Sequence, residues 1–146
     1  MWMGREEVIM REYLFHGKRK DTGEWVEGYL TYNRARKQYY IMDDVNSFPI
    51  PVYEESVGQW SGSCDKKGRK IFEGDIISIM FETDGVDGFP RYSWYESARV
   101  VFSEEKHAWI VVFDDGGQEM YLNEYDDVDD IHVIATIFDN VDLLEG

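Results

Sequence analysis

Apolar residues in this chain come in short runs of β-branched and aromatic side chains, and glycine, proline, asparagine or aspartate closes most runs. EWVEGYLTY is the clearest case. Successive side chains alternate across a strand, so Trp25, Tyr29 and Thr31 share one face and Val26, Leu30 and Tyr32 the other. KDTG before it predicts a tight turn, because Asp21 can accept from the following backbone and Gly23 tolerates a positive φ. NRARK after it returns the chain as QYYIM. With REYLFHG in front, where Tyr13 and Phe15 share a face, the three runs predict a meander. The same vocabulary holds throughout: 13 Val and 11 Ile stand against 5 Leu and 4 Ala, beside 10 Tyr, 8 Phe and 5 Trp. Such side chains lose rotamer freedom in a helix and fit a pleated surface. The expected fold class is mainly β and antiparallel, with at most short helices.

Further along, Pro49 and Pro51 deny their segment a central strand position, which predicts an edge strand or loop and then one helical turn near residues 54–57. SGSCDKKGRK reads as a turn-rich joint and the natural place for a boundary. DIISIMFE is a strand. TDGVDGFPRYSWYES, residues 83–97, reads as a long loop punctuated by Gly85, Gly88 and Pro90. ARVVF and AWIVVF flank SEEKH as a hairpin, and their continuous apolar runs predict strands covered on both faces. QEMYL and IHVIATIF are the last strands, with an acidic loop between them and a short helix in DNVDLL capped by Asp139 or Asn140. The expected organisation is an extension at residues 1–9, an aromatic meander over 10–62 and a second β subdomain with an acidic surface over 63–146.

Charge divides unevenly. Residues 1–72 carry 12 Lys and Arg against 11 Asp and Glu, whereas residues 73–146 carry 3 against 19, within a chain of net charge −15. A surface that negative repels phosphate, which argues against nucleic acid as a partner. Basic clusters at residues 18–20, 34–37 and 66–70 read as solvated turns that could meet an acidic partner or a second copy. One cysteine, Cys64, precludes an intrachain disulfide and suits a reducing compartment. MWMGREEVIMREYL lacks the pattern of a signal peptide, and no apolar run approaches a membrane span. The expectation is a soluble, cytoplasmic protein with no membrane partner.

Candidate chemistry is sparse. Glu73 and Asp75 flank Gly74, and two carboxylates two residues apart on a strand can share a proton or hold a hard cation. The architectural reading is preferred: Gly74 supplies a bend and Asp75 bonds a turn amide, while Asp65 and Gly68 close a hairpin. Glu124, Asp126, Asp127, Asp129 and Asp130 form an acidic cluster without the spacing of a calcium loop. His16, His107 and His132 have no metal-ligand spacing, and Cys64 precedes an acid, which disfavours thiolate. No nucleophile elbow or phosphate-cradling loop is found. The sequence therefore predicts no catalytic residues, no metal and no cofactor. Trp25, Tyr29, Tyr39, Phe81, Phe102 and Trp109 fit strand patterns and are expected in the core. Phe89, Tyr92, Trp94 and Tyr95 fall in the polar loop, where core and interface roles are both open.

REYLFHGKRKDTGEWVEGYL, followed by VGQWSGSCDKKGRKIFEGDII, resembles the YopX family of phage and prophage proteins. Val57, Gly58, Gln59, Ser61, Gly62, Asp65, Lys66, Gly68, Ile71, Phe72, Glu73, Gly74 and Asp75 all fit its second block, and the resemblance runs from Arg11 to the C-terminal IFDNVDLLE. His16 stands where the family often has arginine, and Cys64 where an apolar residue is usual. The resemblance implies a mainly β protein with an SH3-like small barrel around and after the E-G-D segment, without an established activity. The leading expectation is a non-catalytic module that binds a protein partner or its own copies. The alternatives are an acidic polyanion mimic that inhibits a host nucleic-acid enzyme, a metal-dependent hydrolase using the acidic clusters, and nucleic-acid binding through residues 66–70.

Overall fold

A computed structural model describes residues 13–43, 45, 48–114, 117–122 and 131–140. The extension at residues 1–9, the acidic cluster at 124–130 and most of DNVDLL lie outside them. The described chain is mainly β: β1 (Phe15–Lys18), β2 (Trp25–Asn33), β3 (Gln38–Met42), β4 (Ile50–Pro51), β5 (Gly58–Cys64), β6 (Lys70–Phe72), β7 (Asp75–Glu82), β8 (Ser93–Ser103), β9 (Ala108–Phe113), β10 (Glu119–Tyr121) and β11 (Ile131–Thr136). A 3₁₀ turn covers Glu54–Ser56. All ladders are antiparallel, and they form two sheets, ordered β4-β3-β2-β1-β5-β6 and β10-β9-β8-β7-β11.

The expected meander is β1-β2-β3. Its turns follow the predicted chemistry: the Gly23 amide donates to the Arg19 carbonyl, and the Asp21 carboxylate accepts from the Thr22 amide at 2.7 Å. β4 sits at the sheet edge, as Pro51 within it and Pro49 just before it require. Alternation along β2 buries Val26 against Ile41, Ile50 and Val52 to make the core of the first sheet. The opposite face carries Tyr29, which is exposed and not a core residue. Phe102 is likewise exposed, on the outer face of β8, whereas Trp25, Tyr39, Phe81 and Trp109 are part-buried. The core of the second sheet gathers Ile77, Ile79, Val100, Val111 and Ile131, together with Ile71 from the last strand of the first sheet. Only β9 shows the expected burial on both faces, from Ile110 to Phe113.

Two boundaries differ from the sequence reading. Residues 61–64 are not part of a joint, because β5 continues through Cys64 and the turn begins at Asp65. Trp94 and Tyr95 are not loop residues. They belong to β8, where Phe81 opposes Trp94 and Met80 opposes Tyr95. Glycine and proline spacing marks a loop, but the aromatic side chains after Pro90 extend the ladder, and the loop proper is residues 83–92.

Candidate functional site

The stretch from Asp65 to Asp75 joins the two sheets. Asp65 is 3% exposed. Its Oδ1 accepts from the amides of Lys67 and Arg69, both at 2.9 Å, which closes the D-K-K-G turn. Its Oδ2 accepts from the Val133 amide of β11 at 2.9 Å, and the Lys66 amide donates to the Ile131 carbonyl. One carboxylate thus shapes a turn in the first sheet and pins it to an edge strand of the second. Burial pushes the Asp65 carboxyl up, but the amides of Val133, Arg69 and Lys67 outweigh it and hold the group below its ordinary value.

The crossing itself is Glu73–Gly74. The Glu73 amide donates to Gln59 of the first sheet, while the Gly74 amide donates to Val100 of the second and its carbonyl accepts from Ile137. Gly74 has φ +89°, a conformation L side chains rarely adopt, so the residue is needed for its backbone. Opposite it, a Cβ on Gly58 would run into the Glu73 carbonyl. Glu73 and Asp75 do not act as a pair: Glu73 is exposed, whereas Asp75 is 2% exposed and accepts from the Phe72 amide at 2.8 Å through Oδ2. Burial raises the Asp75 carboxyl to about 7, against the opposing effect of the Phe72 amide.

A ring cluster fills the seam beside this crossing. His16 is 7% exposed, stacks on Phe72 with centroids 4.0 Å apart and lies 4.5 Å from Trp25. Burial lowers its pKa to about 4, so the imidazole is neutral at physiological pH. Trp25 meets Phe138 edge-on at 6.2 Å and donates from Nε1 to Asp139 at 2.9 Å. Two cavities open here. One of about 540 Å³ is lined by residues that include Trp25, Glu55, Glu73, Val101 and Phe138. The other, of about 410 Å³, shares His16, Trp25 and Thr136 and adds Asp75 and Lys70. The sequence reading did not single out this seam. Its residues come from segments up to about 120 positions apart, and no local spacing marks them.

The aromatic candidates form a second feature. β11 covers β7 from Asp75 to Ile79, and β9 covers β8 from Ala98 onward. Among the described residues, 80–95 therefore pass beyond both neighbours as a two-stranded hairpin. Phe81 stacks on Trp94 at 5.7 Å and Trp94 meets Tyr92 at 5.6 Å, a row that runs outward from the second core. Tyr95, opposite Met80, faces the other way. Phe89 is 74% exposed, Tyr95 62% and Tyr92 60%. Glu82 and Arg91 form an ion pair across the hairpin at 2.7 Å.

Among the described residues no group of three or more His, Cys, Asp or Glu side chains could hold a metal ion. None of their helices is long and apolar enough to cross a membrane. A family model described as "YopX protein" matches residues 2–145. The match begins earlier than Arg11 and includes the residues read as an extension. No curated protein matches the chain. With nearly its whole length matched, the chain belongs to the YopX family.

Proposed function

We propose, from the premise of a YopX-family chain, that this protein is a non-catalytic β module that binds a protein partner or its own copies through the hairpin at residues 80–95. One observation carries the reading: three large aromatic side chains, at Phe89, Tyr92 and Tyr95, are each at least 60% exposed on a ribbon that no third strand among the described residues flanks. An isolated two-stranded hairpin is marginal in water, and exposed aromatic rings are what interfaces use as anchors. The expected setting is a phage- or prophage-encoded protein acting in the bacterial cytoplasm. An SH3-like arrangement of β7 to β11 is consistent with this reading, since such small barrels commonly serve as binding modules. Size-exclusion chromatography with light scattering on the wild type and on Trp94→Ala tests self-association. A concentration-dependent oligomer that Trp94→Ala dissociates supports it, and a strict monomer in both removes it.

The charge of residues 73–146 favours a second reading, an acidic mimic of a polyanion that occupies the basic groove of a host nucleic-acid enzyme. Titration against such enzymes at low and high salt separates the two. Binding that is absent even at low salt ends this reading.

A further inference from the structure

The larger seam cavity has a chemistry of its own. Its walls are apolar at Val57, Val101 and Ile137, and the rings of Trp25 and Phe138 also line it. Its charged lining residues are Glu55 and Glu73, and no lysine or arginine is among the described residues that line it. His16, at its inner wall, contributes no positive charge at neutral pH. Arg69 and Lys70 line the smaller cavity, and Lys18 lies beside Phe138. Lys18 is ion-paired with Asp139 at 2.5 Å and sits 5.8 Å over the Phe138 ring, so its charge is already compensated, and that ring already receives an ammonium. The Trp25 ring is held in place by its Nε1 bond to Asp139. Apolar walls, a fixed indole ring and two carboxylates with no ion pair to another described residue are together the features that select a positive group on an apolar body. The net charge of −15 adds a long-range attraction for such a ligand.

We infer that the cavity between the two sheets, bounded by Trp25, Glu55, Glu73 and Phe138, is a binding site for a small organic ammonium compound. The apolar body packs on Val57, Val101, Ile137 and Phe138, while the ammonium faces the Trp25 ring and is neutralised by the two carboxylates. This site is separate from the hairpin, so it stands or falls apart from the proposed interface.

The test is a titration of the full chain with choline, followed by NMR at the Trp25 indole N–H, which is assigned by its loss in Trp25→Phe. 3,3-Dimethylbutan-1-ol has the same shape without the charge and is titrated in parallel. Choline should shift the Trp25 signal with a Kd on the order of 1 mM, and the neutral alcohol should bind about tenfold more weakly or not at all. Glu55→Gln combined with Glu73→Gln should weaken choline by about tenfold. Both glutamates are exposed, so the double variant is expected to fold, and its unchanged amide spectrum checks this. Equal binding of the two probes, undiminished choline binding in the double variant, or a Trp25 signal unmoved at tens of millimolar choline would each overturn the inference.

Discussion

Replacing Asp75 with asparagine keeps an oxygen that can accept from the Phe72 amide but removes the ionisable group from a site 2% exposed. The folded carboxyl titrates at about 7, against 3.8 for its ordinary value. Between those limits the folded state holds a proton that the unfolded chain has released. The stabilisation it brings is complete below pH 3.8 and is lost as pH rises through 7. About three pH units at about 1.4 kcal/mol each give roughly 4 kcal/mol. His16 runs the other way. Its pKa falls from 6.5 to about 4 on folding, so the unfolded chain takes up the proton first as pH drops, and roughly 3 kcal/mol is lost between pH 6.5 and 4. Over that window the two slopes oppose and nearly cancel in the wild type. Asp75→Asn leaves the His16 slope exposed. Urea unfolding at intervals from pH 4 to 8 measures the difference between variant and wild type. That difference should move in the variant's favour by about 4 kcal/mol from pH 4 to 7. A difference that does not change with pH would refute a neutral, buried Asp75.

The remaining predictions concern the joint between the sheets. Asp65→Ala removes three amide contacts, one of them across the sheets, and should cost about 3 kcal/mol in urea unfolding at neutral pH. Because the folded Asp65 carboxyl lies below its ordinary value, this deficit should shrink as pH falls through the acid range. Gly74→Val meets no neighbouring atom at the new Cβ but forces a β-branched residue to positive φ, and should lower stability by about 1–3 kcal/mol. Wild-type stability with loss of binding would instead mark Gly74 as part of a site. Gly58→Ala meets the Glu73 backbone itself and should cost about 3 kcal/mol, read as a lowered denaturation midpoint.

Local chemistry was legible in the sequence. The meander, the hairpin around SEEKH, the D-K-K-G turn and the edge position of β4 each depend on alternation and turn residues within a few positions of one another. Alternation gives two faces but not which one is covered. Tyr29 and Phe102 were therefore placed in the core and lie on the outer faces of β2 and β8. Loop punctuation at Gly85, Gly88 and Pro90 masked the early start of β8 at Ser93, since a hairpin's extent depends on cross-strand pairs such as Phe81 with Trp94. A turn at Asp65 was legible in the D-K-K-G spacing. That Asp65 reaches β11 was not, because Val133 is 68 positions away. The seam around His16 was invisible for the same reason: a buried, neutral histidine is a product of Phe72 and Trp25 closing on it.

The claim that the hairpin is the interface is tested most directly by capturing partners from host cells on immobilised wild type and on a Phe89→Ser, Tyr95→Ser variant, with masses of the retained proteins compared. Both side chains are more than 60% exposed, so the variant should unfold at the wild-type denaturant midpoint. The account predicts a protein, or the chain itself, that is retained in stoichiometric amount by the wild type and lost from the variant. The same protein retained equally by both would contradict it.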